Sequence, residues 1–192
     1  MKMKKYKLTE ETKEIDGHVL HRIKALKDFA TIKNGELGGW IESEDNLSQD
    51  GDCWVDDEAK VYGNAKVYGN AWVYSEAEVY GNAEVYDFSN VYGNAVIYGN
   101  SKVYDNADVN GYAYVYGNSK VHGYAHVYGN ASIYDNAEVY GDNEVFGNAR
   151  VSGDTKVYGN VWIYDDAKVT GKTKLYDDAL VHGDTEIYDN SL

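Results

Sequence analysis

The sequence has no proline, only one cysteine and no long hydrophobic run. Proline makes up about 5% of average sequences, so its absence excludes loops and linkers punctuated by proline. The single cysteine, Cys53, excludes an intramolecular disulfide framework and favours a reducing compartment. No apolar run approaches the roughly 18 residues that a membrane span requires, and the first residues lack the apolar stretch of a signal peptide. We therefore expect a soluble, cytoplasmic protein with no membrane partner.

Acidic residues outnumber basic ones, but not evenly along the chain. The formal net charge is -14. Residues 55–192 contain 21 acidic and nine basic residues, whereas residues 1–36 contain six acidic and nine basic residues. Nucleic-acid affinity depends on neutralisation of phosphates by cations, so we expect no nucleic-acid partner along the acidic part. The lysines of residues 1–36 alternate with Tyr, Leu, Glu and Thr, which predicts a solvated strand face and not a nucleic-acid-binding arm.

The sequence does contain a six-residue repeat. Residues 55–192 divide into 23 blocks without insertion or deletion, and the first position of every block is Val, Ile or Leu. The second position is Tyr in 16 blocks, the third is Gly or Asp in 22, and the fifth is Ala, Ser or Thr in 21. Such regularity predicts a β-solenoid built from short strands and corners.

The repeat positions predict where each side chain lies. Positions one and five are apolar or small and should face inward, while positions two and six should face outward by strand alternation. Gly or Asp followed by Asn or Asp at positions three and four predicts a corner, because these residues tolerate a positive φ. Three blocks would close a triangular coil of 18 residues, and 23 blocks would make about 7–8 coils.

Residues 18 apart should then stack in columns. One sixth-position column, which starts at Lys66 and Glu84, never places two acids next to each other. At one corner, an unbroken series of asparagines runs from Asn64 to Asn136 and predicts an amide ladder. Both columns support three blocks per coil.

The block aliphatic-x-(Gly/Asp)-(Asn/Asp)-Ala-x resembles the hexapeptide repeat of left-handed parallel β-helix proteins, best known from trimeric acyltransferases. Residues 37–54, followed by tandem Tyr-Gly-Asn-Ala blocks, resemble bacterial and prophage hexapeptide proteins that are commonly labelled as transferases. The resemblance covers residues 37–192 and implies an all-β, single-stranded, left-handed parallel β-helix. It also suggests a phage or prophage origin.

The first 36 residues do not follow the repeat. Lys5–Thr9 and Val19–Leu26 are strand-like, and Asp16-Gly17 between them is typical of a hairpin turn. We expect residues 1–36 to form a small β-hairpin cap and residues 37–54 to lead into the solenoid at 55–192. The last coil has no such cap in the sequence, so we expect self-association through its edge, at Val181 and Ile187.

The resemblance implies one enzymatic alternative, a coenzyme A-dependent acyltransferase, which in this fold would be a trimer with a histidine base and a pantetheine slot. His122 and His126 are the candidate catalytic residues, and His126 falls between Asp108 and Glu144 in an outward column. No loop interrupts the repeat, tyrosine occupies a position that is usually small, and the acidic repeats disfavour a polyphosphate. We therefore expect no cofactor and favour a non-enzymatic module; the alternative is an acyltransferase-like protein, active or degenerate.

Outward aromatic residues suggest binding. Trp54, Trp72, Trp162 and Leu180 fall in one column, which we interpret as the contact surface for a protein partner or for a second copy in a dimer or trimer. Tyrosines at the second position should stack between coils on all faces. A glycan-binding module is a third possibility, because Tyr, Trp, Asn and Asp contact sugars. Stacked aspartates supply no column with six ligands, so we predict no metal site.

Overall fold

The computed structural model describes residues 3–189, in which 26 β-strands and one short 3-10 helix are present. The first elements are β1 (Tyr6–Ile15), β2 (His18–Ala25), β3 (Leu37–Ile41) and the 3-10 helix Glu44–Asn46. From β4 onward the strands are short, and one strand follows another at intervals of six residues along the repeat. The fold is therefore the all-β solenoid that the repeat predicts.

The strands form three parallel faces, named here by a feature of each. The hairpin face continues from β3 through β5 (Lys60–Val61), β8 (Glu78–Val79), β11 (Val96–Ile97), β14 (Tyr114–Val115), β17 (Ser132–Ile133), β20 (Arg150–Val151), β23 (Lys168–Gly171) and β26 (Glu186–Asp189). The lysine face contains β6 (Lys66–Val67), β9 (Glu84–Val85), β12 (Lys102–Val103), β15 (Lys120–Gly123), β18 (Glu138–Gly141), β21 (Lys156–Gly159) and β24 (Lys174–Leu175). The tryptophan face contains β4 (Trp54–Val55), β7 (Trp72–Val73), β10 (Asn90–Val91), β13 (Asp108–Val109), β16 (His126–Val127), β19 (Glu144–Val145), β22 (Trp162–Ile163) and β25 (Leu180–Val181).

Strands on each face pair in parallel with residues 18 positions away, as Lys66 pairs with Glu84 and His126 with Glu144. Three blocks per coil and a solenoid of about eight coils are thereby confirmed. The predicted amide ladder is also present: each side-chain Nδ2 from Asn64 onward donates to the next Oδ1 at 3.0 Å, as far as Asn136. The ladder continues to Asp154 at 2.9 Å.

The core is a narrow column of first- and fifth-position side chains. First-position residues from Val55 to Val169 are at most 1% exposed, and burial of each such side chain contributes roughly 1.5–3 kcal/mol. The fifth positions of this range are Ala, Ser, Thr or Val, with one exception, the buried amide Asn143. Its Nδ2 donates to the carbonyls of Tyr140 and Val157, and its Oδ1 accepts from the amide of Val161 at 2.7 Å. The core therefore tolerates this amide because all of its hydrogen-bonding groups are satisfied.

The third position of the repeat forms the corners. Every third-position residue from Asp57 to Gly183 has a positive φ, whether it is Gly, Asp or Ser75. The neighbouring coil also lies close: a Cβ added at Gly111 would meet the amide nitrogen of Gly129 at 2.8 Å. Glycine predominates at this position because it allows both the left-handed backbone and the short distance between coils.

Strands β1 and β2 form an antiparallel hairpin around Asp16 and Gly17, as predicted. Strand β2 pairs antiparallel with β3, and β3 pairs in parallel with β5, so the hairpin extends one face of the solenoid. Tyr6 is fully buried against the first coil, and its hydroxyl donates to the carbonyl of Leu47. The hairpin therefore covers the first coil as a cap.

One lysine contradicts the expected solvated face. The Lys5 side chain is buried, and its Nζ donates to the carbonyls of Gly51 and Cys53 at 3.2 and 2.8 Å and lies 3.2 Å from the Cys53 Sγ. The Phe29 ring lies 5.2 Å from the same nitrogen. Alternation of residue types could not show this, because the acceptors belong to a loop about 45 residues further along the chain.

Residues 37–54 form a coil of their own. Trp40 pairs with Lys60 and Leu47 with Val67, at offsets of 20 residues, whereas Trp54 pairs with Trp72 at the regular offset of 18. The first coil therefore has two more residues between Leu47 and Trp54 than the next coil has between their partners, Val67 and Trp72. This first coil obeys the solenoid pairing without obeying the hexapeptide pattern.

Candidate binding surfaces

The predicted tryptophan column is present, but its first member is not on the surface. Trp54 pairs in register with Trp72, and Trp162 with Leu180. Trp54 is nevertheless fully buried: the Phe29 ring packs edge-on against it at 5.3 Å, and a Cβ at Gly38 would lie 2.5 Å from its ring. The expectation that Trp54 takes part in a contact surface is therefore wrong, because the cap covers this end of the column.

The other members of the column differ in exposure. Trp72 is half-buried and packs against the core, whereas Trp162 is 43% and Leu180 56% exposed. Tyr176 is 53% exposed but lies on the lysine face, where it stacks on Tyr158, and the corner at Asp177 separates it from Leu180. Trp162 and Leu180, which pair in register on the tryptophan face, form what we call the late-coil patch.

His122 and His126 lie on different faces. His122 is on the lysine face, stacked between the rings of Tyr104 at 4.4 Å and Tyr140 at 5.0 Å. Its Nδ1 lies 3.4 Å from the Asp105 carboxylate, and its Nε2 lies 3.5 Å from that of Glu138. His122 is therefore a member of a ring stack that is held between two carboxylates.

His126 is on the tryptophan face, between Asp108 and Glu144 as predicted. Its Nδ1 lies 3.7 Å from the Asp108 carboxylate, and about half of its side chain is exposed. The corner at Gly123 separates it from His122. The structure therefore does not bring the two candidate catalytic residues into one site.

The residues of the predicted self-association edge belong largely to the core. Val181 is 5% exposed and pairs with Ile163. Ile187 is half-buried and pairs with Val169. A contact at this edge would therefore involve the strand backbone and exposed neighbours such as Leu180 more than the side chains of Val181 and Ile187.

Tyrosine stacks run along all three faces, as predicted. On the hairpin face, rings follow each other at 4.9–5.1 Å from Tyr62 to Tyr134. On the lysine face the stack begins at Tyr68, and on the tryptophan face at Tyr74, with 4.8 Å to the next ring in both cases. Burial raises the pKa of Tyr62 and of Tyr68, the first rings of two of these stacks.

A polar groove at the start of the lysine face was not predicted from the sequence. It has a volume of about 920 Å³ and lies between residues 43–49 of the first coil and the first two regular coils. Its side chains include Asn64, Lys66, Tyr68, Asn82 and Glu84. The repeat gave no signal for this groove, because the groove arises where the irregular first coil departs from the regular ones.

Within residues 3–189, no helix is long and apolar enough to cross a membrane. In the same range, no group of three or more His, Cys, Asp and Glu side chains is arranged to hold a metal ion.

The fold and its repeat define a hexapeptide-repeat β-solenoid, and comparisons with known proteins agree. Residues 59–75 match the family described as the YdcK β-solenoid repeat. The chain is also similar to a protein of Escherichia coli (strain K12) named "Uncharacterized acetyltransferase YdcK", with 37% identity over 67 residues. The resemblance to transferase-like hexapeptide proteins is thereby confirmed. The match covers 31% of this chain and 21% of the relative, so the chain spans about a fifth of the relative's length.

Proposed function

We propose that the protein is a non-enzymatic β-solenoid module that works through protein contacts, and that the late-coil patch is its contact surface. The observation that carries this proposal is the exposure of Trp162 and Leu180, which pair in adjacent coils of one face and are 43% and 56% exposed. Large exposed apolar residues that lie together are typical of interaction sites, and Tyr and Trp are enriched in such interfaces. The ring stacks on the remaining surface are explained by stability alone.

Self-association is the form of contact that we favour. A second copy would bury the same patch on both partners, as in a twofold-symmetric dimer; a trimer or a different protein partner are the other forms. The edge proposed at Val181 and Ile187 lies in the same coil as Leu180, so one set of variants tests both surfaces. The acidic repeats would favour a basic rim on any different partner.

The experiment is a measurement of mass in solution for the wild type, Trp162→Lys and Leu180→Lys. We expect a multiple of 21.5 kDa for the wild type and a shift toward 21.5 kDa for both variants, because a buried unpaired lysine opposes association. Tyr112→Lys is the matched control, since Tyr112 is 60% exposed at another corner. A monomeric wild type, or an equal shift in the control, would contradict self-association through the patch.

A coenzyme A-dependent acyltransferase is the second candidate, because the Escherichia coli relative is named as an acetyltransferase. His126 is the better base of the two, since it is half-exposed and adjoins Asp108, whereas His122 is enclosed in a ring stack. Titration with acetyl-coenzyme A separates the candidates. Micromolar binding that is lost in His126→Ala and retained in His122→Ala would favour the enzyme over the interaction module.

We also propose a cytoplasmic location. The support is Cys53, a buried free thiol, since a reducing compartment keeps such thiols free.

A further inference from the structure

We propose that the groove at the start of the lysine face is a binding site for a neutral saccharide. This function goes beyond the proposed protein contacts and does not depend on them, because the groove and the late-coil patch lie at different ends of the described solenoid. A ring stack, an amide ladder and a column of charges begin in the groove, at Tyr68, Asn64 and Lys66, and their first members present binding groups there.

Tyr68 is the first ring of its stack. One side of the ring stacks on Tyr86 with 4.8 Å between centroids and 2° between planes. Because Leu47 pairs with Val67, the residue of the first coil that adjoins Tyr68 is Ser48, which has only a small hydroxymethyl side chain. No second ring contacts Tyr68 among the described residues, and the side chain lines the groove. Tyr68 therefore offers an aromatic surface to a ligand.

The hairpin face shows what a covered stack looks like. There the first ring, Tyr62, has the His18 ring of the cap 5.1 Å away and is only 4% exposed. The cap thus closes the start of one stack, while Tyr68 is half-buried at the start of another.

Asn64 begins the amide ladder and provides a free acceptor. Its Nδ2 donates to Asn82, but its Oδ1 accepts no hydrogen bond within residues 3–189. The amide of Asn46, in the preceding coil, turns inward and donates to the carbonyls of Gly63 and Ala65 instead. Lys66 begins the column of charges: it adjoins Glu84 and helps to lower the pKa of that carboxyl, while its Nζ makes no hydrogen bond to another described residue. A hydrogen-bond acceptor and a cationic donor thus face the same groove as the Tyr68 ring.

The strand edge beneath the groove is already satisfied. The carbonyl of Val67 accepts from the amide of Ser48 at 2.9 Å, and those of Gly63 and Ala65 accept from Asn46 at 3.0 and 2.9 Å. A peptide that adds a strand needs free backbone groups at an edge. The groove therefore favours a ligand that binds through side chains.

A pyranose ring matches the three groups. Its C–H face would lie against the negative face of the Tyr68 ring, and its hydroxyls would donate to the Asn64 Oδ1 and accept from the Lys66 Nζ, as hydroxyls can do both. The groove is also lined by Glu44, Asp45 and Glu84. Glu44 pairs with Lys4 at 2.7 Å. Glu84 pairs with Lys102 at 3.0 Å and lies near Lys66, so positive charges balance most of the negative charge of the lining. A lining with balanced charges offers an anion no net attraction, so the geometry favours a neutral hexose or N-acetylhexosamine over a uronic or sialic acid.

The experiment uses the full chain and three probes: maltotriose, chitotriose and the acidic trigalacturonate. Binding is followed by isothermal titration and by saturation transfer in nuclear magnetic resonance. We expect at least one of the two neutral trisaccharides to bind and trigalacturonate to bind more weakly. Tyr68→Ala and Asn64→Ala should each weaken binding by about tenfold, the effect of losing one good contact, whereas Tyr68→Phe keeps the ring and should retain most of the affinity.

Two controls come from the chain itself. Tyr74 also begins a ring stack, and Asn130 also begins an amide ladder, but neither lines the groove. Tyr74→Ala and Asn130→Ala should therefore bind as the wild type does. Failure of both neutral probes to bind, a preference for trigalacturonate, or an equal loss of affinity in the controls would each overturn the proposal. None of these results depends on the state of association, so they do not bear on the late-coil patch.

Discussion

Asn46 replaces, with one side chain, the backbone donors that a regular strand would supply. Its Nδ2 donates to the carbonyls of Gly63 and Ala65, and its Oδ1 accepts from the amide of Ser43 at 2.8 Å. The residue is 1% exposed. Because the first coil turns through a 3-10 helix here, the first regular coil would otherwise have two carbonyls without donors.

Asn46→Ala should therefore destabilise the protein by about 1–3 kcal/mol, since buried carbonyls would lose their partners. Denaturation in urea, followed by circular dichroism, measures the change. Asn94→Ala is the matched control, because the Asn94 side chain makes no hydrogen bond to any described residue. Equal stability of the two variants would contradict the role given to Asn46.

Lys5 and Cys53 show a second residue-level feature of the cap. Burial lowers the pKa of Lys5 and raises the pKa of Cys53. The carbonyls of Gly51 and Cys53 compensate for part of the burial of the ammonium group by accepting its hydrogen bonds. Lys5 thus ties the start of β1 to the loop before β4.

At the scale of elements, two-residue strands are held together by their ladders. Such strands make few backbone hydrogen bonds each, and the ring stacks, the amide ladder and alternating charges join neighbouring coils. On the lysine face, for example, Lys102 pairs with Glu84 at 3.0 Å and Lys156 with Glu138 at 3.3 Å. The stacks carry more stability than these partly exposed ion pairs, which contribute little individually.

Tyr116→Ala tests the ring stacks. Tyr116 stacks on Tyr98 at 4.9 Å and on Tyr134 at 5.0 Å, and each aromatic pair contributes about 0.5–1.5 kcal/mol beyond burial. We expect a loss of about 1–3 kcal/mol in thermal or chemical denaturation. The control is Tyr112→Ala, since Tyr112 is exposed and has no ring partner within residues 3–189. A loss of the same size in both variants would show that the stacks add nothing specific.

At the scale of the whole molecule, the buried tyrosines make the free energy of unfolding fall as the pH rises in the alkaline range. Burial is the largest cause of a raised tyrosine pKa along the solenoid, and it raises the pKa of Tyr86 and of Tyr128 to about 12. Because the folded pKa values lie above the usual value near 10, the folded chain holds these protons more tightly than the unfolded chain. This contribution is complete below pH about 10 and is lost as the pH rises through the raised values.

An alkaline titration checks this sign. Phenolate absorbance and circular dichroism, recorded together, should show most tyrosines ionising above pH about 10 and in step with unfolding. N-acetyl-tyrosine amide serves as the reference for an unperturbed phenol. Complete ionisation near pH 10 with an unchanged circular dichroism spectrum would contradict the prediction.

The repeat predicted the regular coils well, because each of its positions has one environment in every block. Inward Val and Ala, the Asn64 ladder and the tyrosine stacks all follow from the spacing. The same reasoning failed at Trp54 and Lys5, which contact the cap and not only their own column. Periodicity describes neighbours 18 residues apart and says nothing of contacts made by a segment outside the repeat.

The sequence by itself determined the coil, its three faces and its register, because the six-residue period places every first-position residue inside and the columns that begin at Asn64 and Lys66 select the offset of 18 residues. The tertiary structure alone decided which side chains are available for binding. The cap buries Trp54 and covers Tyr62, and the displaced first coil leaves Tyr68, Asn64 and Lys66 in a groove. Those outcomes depend on how an irregular segment packs on a regular one, and no pattern within the repeat encodes that packing.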